Sequence, residues 1–453
     1  MMKTSQLTIQ SVLRFVTKPA ALLLLLPLLA IPATSGAQAI PAAEASPIST
    51  GFALPSVAGT LQYAVSASES LTWGYYGNSG AASATNLTGD LAYISNSKLY
   101  PFSMVFSGGH SWATSGQPSY SFVNLAMSQV IAAHRWTFVL SDAVSYMPGT
   151  PSAGLSGVPG VGDLGPNPVQ VGANTGQGVL TDYSTRVSNT AALSVQRQLT
   201  GKTSLNASGS YSISRFLSDT SGPDTSSNPG LDNDSESGSL GLSHRIDARN
   251  NLGGNYSYSN FTYSGNNFGI AEPGFTSQTA SLQYTHQFSR KLGISLAAGP
   301  QWSSIDIPGS SPLLSLFADL SATYAGEFSH ASLGYSRSSN SGYGVVGGAI
   351  SDSVTFSTGR TFNRVWLCAL TSAYTQTSNL STAGSLPFTF HTTVAGVQIA
   401  RAIGRNLSTY ASYTLENQSN QGSAATIDLF SGLSQVAGFG LTFSPSSIHL
   451  GHQ

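Results

Sequence analysis

Leu205–Asn206–Ala207–Ser208–Gly209–Ser210–Tyr211–Ser212–Ile213–Ser214 carries the pattern that decides the fold. In an extended chain Leu205, Ala207, Gly209, Tyr211 and Ile213 fall on one side, and Asn206, Ser208, Ser210, Ser212 and Ser214 on the other. A period of two is the signature of a β-strand. The alternation recurs to either side of this stretch. Tyr183, Val187, Ala191, Leu193 and Val195 oppose Ser184, Ser188, Thr190, Ser194 and Gln196, and further on Ala280, Leu282, Tyr284 and Phe288 oppose Ser281, Gln283, Thr285 and Gln287.

The polar face is small and neutral. Water-exposed sheets of soluble proteins usually carry Lys, Glu and Thr, yet charged residues are only 8% of this chain and aromatics are 10%. An apolar face against lipid and a hydroxyl and amide face against a hydrated interior suit a transmembrane β-barrel. Asn206, Ser208, Ser210, Ser212, Ser214, Ser281, Gln283 and Thr285 are therefore expected to line a lumen. A soluble β-sandwich or β-solenoid is the alternative fold.

Strand-like segments run from residue 59 to 443, and about 16 to 18 of them fit, with an even number returning both ends to one side. Tight turns are expected at 200–202, 247–249, 289–291, 326–328, 358–360 and 403–405, and long connections at 147–182, 218–234, 264–274, 306–312, 376–386 and 419–433. Short periplasmic turns and long extracellular loops are the usual asymmetry of such barrels. The fold expected is thus all-β, a single antiparallel transmembrane barrel.

Residues 1–39 read as a secretory signal: Lys3, Arg14 and Lys18 precede or flank the Leu-rich run Ala20–Ala30, and Ala37–Gln38–Ala39 offers a cleavage site. Residues 40–58 read as a flexible periplasmic lead and 444–453 as a C-terminal periplasmic tail. No later stretch reaches the length a transmembrane helix needs. Without residues 1–39 the chain keeps 15 Lys+Arg against 19 Asp+Glu, a balance that does not suggest nucleic acid. One cysteine, Cys368, excludes an internal disulfide framework.

Charge is sorted along the chain. Lys98, Arg135, Arg197, Lys202, Arg245, Arg249, Arg290, Lys291, Arg360, Arg364, Arg401 and Arg405 lie at or beside the tight turns, while Asp163, Asp232, Asp234, Glu236 and Asp306 lie in or beside the opposite loops. Asp232, Asp234 and Glu236 form an acidic extracellular loop without the spacing of a calcium site. The nearly uncharged segment Pro148–Gly178 is the third loop on its side, a candidate to fold in and narrow the barrel with Asp163 as its lone charge, a surface loop being the alternative. No cofactor or metal motif is present, and no G-x-S-x-G or HExxH marks an enzyme. His244, His286 and His330, each close to a tight turn, are the residues a barrel enzyme would use.

Near the C-terminus Gly438, Leu441 and Phe443 stand at the spacing of an outer-membrane assembly signal, with Val436 where a polar residue is usual. With the Tyr/Ser hairpins, such as Gly254–Asn255–Tyr256–Ser257–Tyr258, this resembles Gram-negative outer-membrane β-barrels. It is porin-like, and similar in style to barrels that accompany exopolysaccharide or exosortase systems. The resemblance implies a channel in the cell outer membrane, passing hydrophilic small molecules or exporting polysaccharide. It implies partners in outer-membrane lipid, lipopolysaccharide and the barrel-assembly machinery, and a monomer or trimer. A non-conducting adhesin or structural barrel is the alternative function, with a barrel enzyme behind it.

Overall fold

The computed structural model describes residues 59–74, 81–95, 97, 100–113, 119–147, 185–217, 231–264, 266–267, 270–271, 273–342, 347–363, 365–380, 388–422 and 431–450. Within them the chain is all strand: β1 (Gly59–Trp73), β2 (Ala82–Ser95), β3 (Phe102–Ala113), β4 (Tyr120–Ala133), β5 (Trp136–Met147), β6 (Thr185–Gln198), β7 (Thr203–Leu217), β8 (Asp232–Arg245) and β9 (Asn250–Ser264) come first. The two-residue strands β10 (Asn266–Asn267) and β11 (Ile270–Ala271) pair only with each other. Then follow β12 (Phe275–Gln287), β13 (Leu292–Ile305), β14 (Leu313–Ala325), β15 (Ser329–Asn340), β16 (Ala349–Phe362), β17 (Trp366–Asn379), β18 (Phe388–Ala402), β19 (Leu407–Gly422), β20 (Gly432–Phe443) and β21 (Ile448–Leu450).

Each long strand pairs antiparallel with its sequence neighbours, β9 passes directly to β12, and β20 pairs back to β1 from Val65↔Phe443 to Trp73↔Gln435. Eighteen long strands thus close into a barrel that leaves no free edge. Following partner to partner through every ladder returns to β1 displaced by about 22 residues. With about 3.3 Å per residue and about 4.8 Å between strands, that shear tilts the strands by about 40° and sets a backbone radius of about 18 Å.

Connections at one end of the barrel are short, such as 134–135, 199–202, 246–249, 326–328 and 403–406, and those at the other end include 148–184 and 218–231. One expected turn is corrected. Thr358, Gly359 and Arg360 lie inside β16, and the chain reverses at 363–365, where Asn363 takes the left-handed φ of 49° that Asn tolerates well. The wall also does not stop at Phe443, because β21 carries the pairing on to Gly59–Leu61 of β1, within the segment expected to be a tail. In β13 the Gly299–Pro300 pair interrupts the ladder opposite Ala280 and Ser281, since Pro300 has no N–H to give.

The registers sort side chains into two faces. Away from strand ends, the exposed large apolar residues, among them Val65, Leu87, Leu193, Leu240, Leu282, Leu320, Leu370 and Phe439, all share one face. The buried polar residues, among them Ser66, Thr88, Ser107, Ser128, Ser141, Ser277, Ser351, Thr377 and Thr414, share the other. A closed sheet crowds side chains on its concave face and spreads them on its convex one, so the apolar face is outside. This is the reverse of a soluble protein and satisfies a chain whose outer solvent is hydrocarbon.

The inner face as candidate functional site

Asn206, Ser208, Ser210, Ser212 and Ser214 of β7 lie on the same face as Ser237, Ser239 and Ser243 of β8 and Ser188, Thr190 and Ser194 of β6. Hydroxyls bond directly across the ladders: Ser204 to Ser243 at 2.7 Å, Ser208 to Ser239 at 2.7 Å, Ser210 to Ser237 at 2.6 Å, and Thr190 to Ser212 at 2.9 Å. Each hydroxyl keeps acceptor capacity after such a bond, so the surface stays able to exchange hydrogen bonds with water or solute. Ser194 and Ser208 are exposed on this inner face. Ser281, Gln283 and Thr285 of β12 share it, with Ser281 buried and Gln283 exposed.

Elsewhere the same face is packed. Gln301 of β13 donates through Nε2 to Ser277 at 3.2 Å, Thr279 at 3.3 Å and Ser339 at 3.1 Å, and its Oε1 accepts from Ser315 at 3.3 Å. One amide thus ties β12, β13, β14 and β15 together. Around β17 to β20, Thr377, Phe390, Glu416, Gln418 and Ser434 are 0 to 1% exposed. These side chains are packed away from solvent, whereas Ser194 and Ser208 of the β6–β8 wall are exposed. Both carboxyl oxygens of Glu416 lack a hydrogen-bond partner among the described residues.

The acidic group is not a loop. Asp232, Asp234 and Glu236 begin β8, and the register puts them on the outer face. Ladder pairing, rather than the acidity of the segment, sets where the strand starts: Asp232 stands opposite Ser264 of β9. Arg215 of β7 meets the two aspartates: its Nη2 reaches both oxygens of Asp234 at 2.7 and 2.8 Å, and its Nε lies 3.9 Å from Asp232. Arg337 and Asp352 form a second outer-face pair, directly opposed across β15 and β16 at 2.8 Å. Neither pair was legible from spacing, because the partners sit 15 to 19 residues apart on different strands.

Asp163 lies outside the described residues. Gly438, Leu441 and Phe443 all fall in β20, the closing strand, with Gly438 on the inner face and Leu441 and Phe443 exposed on the outer one. His244, His286 and His330 are not brought together. His244 and His286 are on the outer face of β8 and β12, bonded to Thr203 at 2.9 Å and Asn250 at 2.7 Å, while His330 is on the inner face of β15. Among the described residues no group of three metal-ligating side chains forms.

No protein-family model and no curated protein matches the chain. Among solved structures it is similar to three from Pseudomonas aeruginosa. OpdQ shares 11% identity, over 85% of this chain and 98% of that chain, with a TM-score of 0.40. The outer membrane protein OpdK shares 10% over 86% and 99%, with a TM-score of 0.40. OccK2 (OpdF) shares 10% over 86% and 98%, with a TM-score of 0.42. By its own strands and faces, the chain is a porin-like barrel: eighteen antiparallel strands closed on themselves, apolar outside and rich in hydroxyls and amides within.

Proposed function

We propose that this protein is an outer-membrane channel for small hydrophilic solutes, the β6–β8 side of its interior forming the path. The observation that carries it is the Ser/Asn-rich middle of the β6–β8 wall, with Arg186 near its long-loop end and Arg245 at its tight-turn end, inside a barrel of about 18 Å backbone radius, too wide for wall side chains alone to fill. Hydroxyls and amides trade hydrogen bonds without holding an ion, which favours sugar-like or other neutral polar cargo. The packed sector around Glu416 and Gln418 reduces the free bore, and that favours small solutes over polysaccharide export.

In this proposal residues 1–39 direct export. The tight-turn end, where β1 begins and β20 ends, faces the periplasm, and the outer face meets outer-membrane lipid and lipopolysaccharide. Planar-bilayer recording tests it: purified protein should insert with stepwise conductance and weak ion selectivity, and vesicles containing it should swell faster in small neutral sugars than in charged solutes of equal size. Protein that inserts but stays electrically silent and impermeable would overturn it and leave a structural barrel or adhesin.

A further inference from the structure

Three guanidinium groups lie over aromatic rings on the outer face at the tight-turn end. Arg197 stands 4.9 Å from the Trp136 ring centre, Arg360 5.0 Å from Phe362, and Arg401 5.2 Å from Trp366. The registers make this a deliberate alignment. Trp136 is directly opposite Arg197, and Trp366 is directly opposite both Phe362 and Arg401, so a row of aromatic and guanidinium groups runs across β16, β17 and β18. All six side chains are exposed. Among the described residues none of the three arginines forms an ion pair.

Stacking on a ring holds a guanidinium flat and leaves its N–H edge free, the form in which arginine grips a phosphate through two parallel bonds. The surroundings supply charge of one sign. At this end the described residues include ten arginines and lysines, Arg249, Arg290, Lys291 and Arg405 among them, against two acids, Asp247 and Glu327. Immediately beside them the surface is apolar, with Phe288, Phe328, Ile403 and Leu407 exposed. A ligand that fits both halves has a phosphate next to hydrocarbon.

We propose that this face is a binding belt for anionic phospholipid headgroups, with Arg197, Arg360 and Arg401 gripping the phosphates. The proposal rests on the membrane-inserted barrel described above and adds a lipid class and an end of the barrel to it. The charge excess distinguishes anionic from zwitterionic headgroups, since each basic side chain near a lipid surface favours an anionic neighbour.

The position of the tryptophans provides the test. Trp73, Trp112 and Trp302 belong to the opposite half, so W73F/W112F/W302F leaves Trp136 and Trp366 as reporters at the belt. In phosphatidylcholine vesicles, brominated phosphatidylglycerol should quench them with an apparent preference of about threefold or more over brominated phosphatidylcholine. R197Q/R360Q/R401Q, or high salt, should bring that ratio close to one. Native mass spectrometry of the chain with all five tryptophans, from detergent doped with phosphatidylglycerol, gives a second readout: retained lipid should drop in the triple arginine variant.

Equal quenching by both lipids in an inserted protein would overturn the lipid preference and leave the barrel reading intact. Absence of quenching by either lipid would instead overturn membrane insertion. Displacement of phosphatidylglycerol by inorganic phosphate alone would reassign the arginines to a soluble anion.

Discussion

Tyr413 on the outer face of β19 donates its phenolic hydrogen to Gln435 Oε1 of β20 at 2.6 Å, diagonally across the ladder and toward the long-loop end. The same geometry repeats around the wall. Tyr256 donates to Gln278 at 3.0 Å, Tyr335 donates to Asp352 at 2.9 Å, and Tyr374 bonds His391 at 2.8 Å. In each case the partner lies two residues toward the long-loop end from the residue directly opposite the tyrosine. A phenol facing hydrocarbon needs a partner that water cannot supply, and a polar side chain on the next strand provides it. The recurring Tyr/Ser hairpins of the sequence are the trace of this arrangement.

For this pair the coupling is measurable. Y413F should lower barrel stability by about 1 kcal/mol by leaving the Gln435 amide without its donor. Q435L should cost a similar amount, and Y413F/Q435L should return close to the parent. Urea titration of the folded form in phospholipid vesicles reads this out; strictly additive losses would show that the two side chains do not interact.

Arg215 neutralises outer-face acids that would otherwise be stranded. Its side chain and those of Asp232 and Asp234 are each roughly a quarter to a third exposed, so screening is partial. R215M is expected to cost about 1–2 kcal/mol of folding stability in lipid. In a D232N/D234N background the same substitution should have little effect, because no carboxylate is left to pair.

Glycines in this wall are not equivalent. At Gly299 an added Cβ would collide with the backbone oxygen of Ala280, whereas at Gly209 the nearest atom is an ordinary 3.7 Å away. G299A should therefore destabilise by about 2–3 kcal/mol or slow assembly, since backbone must move. G209A should be neutral or mildly stabilising, because glycine in a strand interior carries an entropic cost. Heat-modifiable gel mobility across a temperature series would rank them, and equal behaviour would contradict the geometry.

The β8–β9 turn is closed by Asp247. Its Oδ1 accepts the backbone N–H groups of Arg249 at 2.7 Å and Asn250 at 2.9 Å, and its Oδ2 accepts the Asn250 side chain at 2.7 Å. The Arg249 N–H above all holds the carboxyl below the usual aspartate range. Because the folded value is depressed, the turn's extra stability is full above the unfolded pKa of about 3.9 and is lost as pH falls through the lower folded value. Amide exchange at Arg249 and Asn250 should accelerate, relative to the intrinsic rate, on acidification through that window. In D247N the protection should be independent of pH there.

Much of the fold was legible without coordinates because lipid imposes a strict local rule. Outer side chains facing hydrocarbon are mostly apolar, and backbone groups must all be paired, so a period of two like that of Leu205–Ser214 recurs along the chain. The turn lies a few residues beyond Thr358–Arg360 for a local reason: Gly359 has the composition of a turn residue, yet it serves a close approach to His330 inside the ladder.

Alternation therefore determined the strand class, an approximate count of 16 to 18 strands and which residues share a face with Asn206 or Leu205. It could not determine register, and register is what set Arg215 against Asp234, Trp366 between Phe362 and Arg401, and Gln301 among serines from three other strands. Nor could it separate the exposed wall at β7 from the packed sector at Glu416, since both are written in the same small polar residues. Those contacts join positions brought together only when a tilted sheet closes on itself, and no local pattern records the tilt.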